Sequence, residues 1–248
     1  MNEKTTIEEY TLKKDWRVNE NANRIFSIGG LKTHIAEKAI AKYMLKKYPK
    51  EISDAHKNGF FHIHDLSHAL GGYCAGWSIQ DILMVGFGGV DGTVFSSPAK
   101  HFSSILGQLM NFLGVVQQEW AGAQALNSFD TLLAPFVRYD HLSLKDVKQC
   151  IQEFVYNLNV TLRFAHETPF TNISFDLTIP DDLARQPIII GGKVLDETYA
   201  DYQREVDMIN QAFLQVMYEG DAHSGIFRFP IPTYSICLLY TSPSPRDS

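Results

Sequence analysis

Cysteine is scarce in this chain. Cys74, Cys150 and Cys237 are the only three in 248 residues, and they lie far apart. No Cys-x-x-Cys pair occurs, so the usual signature of a structural zinc site is missing, and no metal site is expected here. An odd, sparse set fits reduced thiols in the cytoplasm better than a disulfide scaffold. Positive charge is also short: 22 Lys and Arg stand against 28 Asp and Glu, a net charge of -6. A protein whose main task is to bind a nucleic-acid backbone needs the opposite balance, so no nucleic-acid partner is expected. Single anions such as nucleotides remain possible, because helix N-termini and a few cations can hold them. No apolar run reaches membrane-spanning length. The polar start Met-Asn-Glu-Lys-Thr-Thr lacks the apolar core of a signal peptide. The expectation is a cytoplasmic protein without a membrane partner. The glycine-rich stretch 86–92 fits neither Gly-x-Gly-x-x-Gly nor a P-loop and reads as a surface loop.

What is present is a globular composition, 45% hydrophobic and 20% charged, with enough chain for one large or two ordinary domains. Residues 1–14 read as a polar, mobile lead-in, and 15–23 as a loop or helix start. Leu31, Ile35, Ala39, Ile40 and Tyr43 recur at helical spacing, with Pro49 as the stop. A short helix over 52–57 precedes Gly59. Ser97-Pro98 predicts a helix start, with Phe102, Ile105, Leu106, Leu109, Met110 and Leu113 as its apolar stripe. Residues 117–130 read as helical, with small residues that permit close backbone approach. Ser143 with Asp146 predicts a capped helix carrying Val147, Ile151, Phe154, Val155 and Leu158, and Cys150 beside that stripe reads as a packing cysteine. Residues 168–178 read as a loop entering a strand with Ile173, Phe175 and Leu177 on one face. Gly191-Gly192 predicts a hairpin. Val206 to Met217 forms a long helix closed by Gly220, and 227–236 is extended.

Residues 60–80 concentrate the chemistry-bearing side chains: His62, His64, Asp65, His68 and Cys74, the last between Tyr73 and Trp77. A strand over 60–64 would put His62 and His64 on one face. Two readings compete, a metal or acid–base site on the histidines and a thiol site on Cys74.

The ordered motifs resolve the choice. They are His-Ile-His-Asp-Leu (62–66), Gly-Tyr-Cys-Ala-Gly-Trp-Ser (72–78), Ser-Ser-Pro-Ala-Lys-His-Phe (96–102), Asn-Phe-Leu-Gly (111–114) and Gln-Glu-Trp-Ala-Gly-Ala-Gln-Ala (118–125). Ser-Phe-Asp-Thr (128–131), Ala-Pro-Phe-Val-Arg (134–138), Thr-Pro-Phe-Thr-Asn (168–172) and Phe-Pro-Ile-Pro-Thr-Tyr (229–234) follow. Each is weak alone, but nine in order are specific. From about Asp15 to Ile236 the chain resembles the catalytic subunit of anaerobic, class III ribonucleoside-triphosphate reductases, which are glycyl-radical enzymes.

The resemblance implies an α/β fold, the N-terminal part of a ten-stranded α/β barrel shared with pyruvate formate-lyase, with outer helices and incomplete here. It implies reduction of ribonucleoside triphosphates to deoxyribonucleoside triphosphates by radical chemistry, with formate as reductant. Cys74 matches the second, strand-borne cysteine, which delivers hydrogen at C2′. Hydrogen-atom donation needs a neutral thiol, and burial among Tyr73, Ala75 and Trp77 is expected to favour that form. His62, His64, Thr168, Thr171 and Asn172 are candidates for the substrate pocket. Ser97, Lys100, Gln108 and Gln118 lie on the stretches that would build a deoxynucleotide effector site at a homodimer interface, with Lys100 near a helix N-terminus as phosphate partner. The radical-bearing glycine, the thiyl cysteine and a four-cysteine zinc site are expected in later sequence not contained here, so this polypeptide alone is expected not to turn over. The activating partner would use S-adenosylmethionine and an iron–sulfur cluster. No ATP-cone is visible before Asp15. Residues 237–248 break the style of the rest and read as a non-native, adapter-derived tail, leaving 15–236 as the reductase segment. Two alternatives stay open: another glycyl-radical enzyme acting on a small carbon substrate, and a non-catalytic effector-binding or dimerisation module.

Overall fold

The computed structural model describes residues 3–13, 26–88, 92, 94–160 and 167–236. The loop read over 15–23, most of the centre of the glycine-rich stretch (89–91) and the tail 237–248 lie outside the described residues. The chain divides into two units, one of residues 1–75, 114–123 and 160–170, the other of 76–113, 124–159 and 171–248.

The first unit opens on helix α1 (Glu3–Thr11), where the sequence suggested a mobile lead-in. One buried aromatic explains the difference. Tyr10 stacks on Phe26 at 4.9 Å between ring centres. Its hydroxyl also donates to the Ser27 carbonyl and accepts the Ser27 N–H, both at 3.0 Å. Ser27 in turn caps α2 (Ile28–Leu45), its hydroxyl accepting from Gly30 N at 3.0 Å. An ion pair from Lys38 to Glu9 ties α2 to α1. The expected helix is present, but its apolar stripe stays half-buried or exposed, and the buried positions are Gly30 and His34. Helix α3 (Lys50–Lys57) follows, and Gly59 turns the chain away at φ +76°. No strand forms over 60–64; a turn leads into a 3-10 turn, Leu66–His68, packed on α2.

Strand β1 (Ala75–Trp77) leads into the second unit. Then come α4 (Ile79–Val85), α5 (Phe102–Val116), β2 (Gln124–Leu126), α6 (Phe129–Tyr139), α7 (Leu144–Leu158) and β3 (Thr171–Phe175). The short α8 (Asp181–Ala184), the hairpin β4 (Pro187–Ile190) and β5 (Lys193–Thr198), α9 (Gln203–Glu219) and β6 (Ile231–Tyr234) complete it. The main sheet runs β1-β2-β3-β6. Strands β2, β3 and β6 are parallel, with Gln124 opposite Thr171, Leu126 opposite Ile173 and Phe175 opposite Tyr234. Parallel pairing requires crossovers, and α6 with α7 makes the one between β2 and β3. Helix α9 packs on both α6 and α7, and Phe129 of α6 stacks on Phe154 of α7 at 5.5 Å, burying Phe129, Phe136, Phe154 and Phe213. Phe175 links sheet to helices, lying 5.7 Å from Phe129, 4.6 Å from Phe213 and 5.2 Å from Tyr234. Each such ring contributes about 1.5–3 kcal/mol by burial.

The Ser143–Asp146 capping box forms in both directions, and the five predicted stripe residues of α7 are all buried. Cys150 is half-buried against the same core, and burial pushes its thiol pKa up. The hairpin turns on Gly191 and Gly192 at φ +61° and +72°. Gly220 closes α9 at φ +72°.

Three further expectations fail. Helix α5 starts at Phe102, not Ser97, because Asp140 supplies the cap: its carboxylate accepts from Phe102 N at 2.7 Å and pairs with His101 Nδ1 at 2.7 Å. Residues 117–128 are not helical, and α6 begins only at Phe129. Helix α5 ends at Val116, and the small residues lie in an extended segment and strand β2. Leu177 leaves the β3 face, because the strand ends at Phe175 and Leu177 takes φ +62°.

Candidate functional site

Cys74 sits in the first unit, one residue before β1. Its segment is extended and runs beside 121–123. Ala121 N donates to Gly72 O at 3.0 Å, Gly122 N to Tyr73 O at 2.6 Å, and Ala75 N to Ala123 O at 3.2 Å. Glycines permit this approach. A Cβ at Gly72 would enter the Trp120 ring, and one at Gly122 would meet Cys74 Sγ. The expected burial of the thiol does not occur: Cys74 is exposed, and Tyr73 beside it is 50% exposed. Sγ lies against Gly122. The segment that carries Gly122 is itself anchored by Gln117. That fully buried amide donates to Phe170 O at 2.8 Å and accepts from Phe170 N at 3.1 Å.

The histidines separate. Without a strand over 60–64 there is no shared face. The His62 ring lies tilted against that of His56, 5.3 Å between centres. His64 Nδ1 lies 2.9 Å from Asp65 Oδ2, and its ring meets the Tyr73 ring edge-on at 5.6 Å. Burial raises the Asp65 pKa, but hydrogen bonds from His64 and Tyr73 and the charges of His64 and His68 outweigh it and hold it below the usual value. His68 lies 3.9 Å from Glu37. Of the two predicted pocket histidines, only His64 is brought to the residue next to Cys74. Among the described residues no group of three His, Cys, Asp or Glu side chains could hold a metal ion.

The other predicted residues fall in different places. Thr168 is half-buried in the first unit, just before β3. Thr171 is fully buried at the start of β3, and its hydroxyl has no hydrogen-bond partner among the described residues. Asn172 donates across the sheet to Thr233 Oγ1 at 3.0 Å. Gln108 is buried on α5, and its amide donates to Ser96 Oγ at 2.8 Å and Ser97 O at 2.6 Å. The exposed Lys100 extends past the hairpin, where a Cβ at Gly191 would lie 3.1 Å from its Cγ. Ser97, Lys100 and Gln108 are thus assembled in one region, whereas Gln118 belongs to the first unit. The nearby helix N-terminus expected to assist Lys100 is already filled by the Asp140 carboxylate.

One polar centre had no sequence prediction. Asp130 on α6 is fully buried. Its oxygens accept from Asp176 N at 2.9 and 3.1 Å, Leu177 N at 3.0 Å and Asn210 Nδ2 at 2.7 Å. Asp176, at the C-terminal end of β3, accepts from Thr131 Oγ1 at 2.7 Å and Ser128 Oγ at 3.4 Å. Burial, then the Asp130 charge, push the Asp176 pKa up against those hydroxyl bonds. The only signal in sequence was an aspartate inside the apolar run 129–137.

The sequence pattern of the family described as anaerobic ribonucleoside-triphosphate reductase matches residues 20–240. The chain belongs to this family. The anaerobic ribonucleoside-triphosphate reductase of Escherichia coli (strain K12) is 23% identical over 186 residues, which cover 64% of this chain and 26% of that protein. The anaerobic ribonucleotide reductase from Thermotoga maritima, solved in complex with dATP and CTP, matches with a TM-score of 0.72 at 21% identity. That match covers 96% of this chain and 41% of the other. A second structure, an anaerobic ribonucleotide reductase, matches with a TM-score of 0.73 at 21% identity and covers 96% of this chain and 40% of the other. The mixed α/β fold with its parallel sheet is therefore the reductase fold, and this chain spans about a quarter to two-fifths of its relatives' lengths. Every predicted site residue lies inside the span matched to the reductase family. Among the described residues no helix is long and apolar enough to cross a membrane.

Proposed function

We propose that this chain is part of an anaerobic ribonucleotide reductase in which Cys74 delivers hydrogen to C2′ of a bound ribonucleoside triphosphate. The carrying observation is the seating of Cys74: an exposed residue just before the first strand of the sheet, its sulfur resting on Gly122. A hydrogen-atom donor has to be held in place and still reach a substrate carbon, and this seat meets both needs. Family membership supplies the reaction class. In the balanced reaction formate gives two electrons and leaves as carbon dioxide, while the 2′-hydroxyl leaves as water. A glycyl radical, raised by an activating enzyme with S-adenosylmethionine and an iron–sulfur cluster, would start the chemistry. The zinc site of the family has no holder among the described residues, and no step here passes through zinc.

His64 is the better of the two histidine candidates for the substrate side, because its ring touches Tyr73. Thr171 and Asn172 at the start of β3, and Thr168 in the first unit, are assigned to the substrate side. Ser97, Lys100 and Gln108 are assigned to a deoxynucleotide effector, with Gln118 contributing across a homodimer, in a cytoplasmic enzyme. Lys100 would act as a point charge on phosphate without help from the α5 terminus.

The test is an anaerobic assay of the complete reductase carrying this segment, activated by its partner and given formate and each ribonucleoside triphosphate. Formation of the matching deoxynucleotide is expected. No deoxynucleotide from any of them, despite a spectroscopically verified glycyl radical, would overturn the reading.

A further inference from the structure

We infer that Gly122 is the positioning residue for the Cys74 sulfur: its bare α-carbon is the seat against which Sγ rests. Glycine is not needed at 122 for backbone conformation, because its φ lies outside the left-handed region. It is needed for space. A Cβ there would collide with Cys74 Sγ and lie 2.8 Å from Tyr73 O and 3.1 Å from Tyr73 C. The Gly122 N–H also donates to Tyr73 O at 2.6 Å, so the residue that makes room for the sulfur fixes the backbone just before it. Gly72 does the converse, since a Cβ there would enter the Trp120 ring. The two segments therefore interlock in both directions, Trp120 over Gly72 and Cys74 over Gly122. Sliding one past the other by a residue would put Ala121 or Ala123 into the Gly122 seat, so the register and the sulfur position are set together.

The catalytic weight of this seat rests on the reductase reading above; the seating itself does not. A methyl group at 122 has two ways out. Either Cys74 rotates its sulfur away, or the 72–75 and 121–123 segments part and the Tyr73 bond is lost. Both move the hydrogen donor without removing it. Displacing a reacting group by about 1 Å costs on the order of 100-fold in rate, so Gly122→Ala should lower kcat of the complete enzyme by that order with KM for the ribonucleotide unchanged. Gly107→Ala is the control, because a Cβ at Gly107 meets nothing within 4 Å.

The deciding experiment is a double-mutant cycle on the complete reductase carrying this segment, read by urea unfolding midpoints. Gly122→Ala is compared in the natural background and with Cys74→Ala, which removes the sulfur. The expected result is a smaller loss in the Cys74→Ala background, and a Gly122→Ala chain that folds only with Cys74→Ala would be the extreme form of it. An equal loss in both backgrounds would overturn the inference. So would a chain unfolded in both, since the Tyr73 backbone rather than the sulfur would then be the obstacle. Coupling retained, in a reductase that works undiminished with Cys74→Ala, would leave the seat standing and remove the reductase role of Cys74.

Discussion

The carboxylate of Asp130 receives the backbone N–H of Asp176 on both oxygens, at 2.9 and 3.1 Å. That contact fastens the first turn of α6 to the end of β3, and Asn210 brings α9 to the same carboxylate. Asp130→Ala would leave buried donors without acceptors, at about 1–3 kcal/mol each. A loss of about 3 kcal/mol or more is expected, with Asp130→Asn intermediate because it keeps one acceptor oxygen. Urea midpoints of the three chains check this. A cost below that of an ordinary surface substitution would show that the fastening is unnecessary.

Asp176 makes the neighbouring pH prediction. Its pKa is raised in the folded chain above its ordinary value of 3.8. The folded state therefore holds the proton more tightly than the unfolded state does. That contribution is fully present below 3.8 and is lost as pH rises through the folded value. Asp176→Asn cannot ionise, so its stability should gain on that of the natural chain between acid and neutral pH. Parallel pH profiles of the two would contradict the assignment.

The capping box of α7 is a local test. Ser143→Ala removes both the cap on Asp146 N and the hydroxyl bond to the Asp146 side chain at 2.6 Å. A loss of about 1 kcal/mol is expected from thermal or chemical unfolding.

Two glycines should respond with opposite signs. Gly107 lies inside α5 with open space at its Cβ position, so Gly107→Ala should stabilise by about 0.5–1 kcal/mol. Gly192 has φ +72°, and a Cβ there would lie 2.8 Å from Pro98 Cγ and 2.9 Å from Met84 O. Gly192→Ala should destabilise by at least about 1–2 kcal/mol from backbone strain alone. Unfolding midpoints of the pair decide it.

Local signals carried much of this fold. The α7 capping box, the Gly191-Gly192 turn and the Gly220 stop were legible because each depends on residues within a few positions of one another. The start of α5 was not, because its cap comes from Asp140, 38 residues on. Residues 117–128 were misread because their alanines favour helix, whereas the segment serves close strand approach at Gly122. The motif set singled out Cys74 as a candidate, while periodicity misplaced its surroundings: a strand at 60–64 and a buried thiol are both absent. Asp130 was invisible because the value of a buried carboxylate lies in donors from Asp176, Leu177 and Asn210, all distant in sequence.

The most direct test of the central claim is deoxynucleotide formation by the complete, anaerobically activated reductase with Cys74→Ala beside the natural enzyme. The account predicts that product formation is abolished while the glycyl radical and nucleotide binding persist. Undiminished deoxynucleotide formation by Cys74→Ala would contradict it.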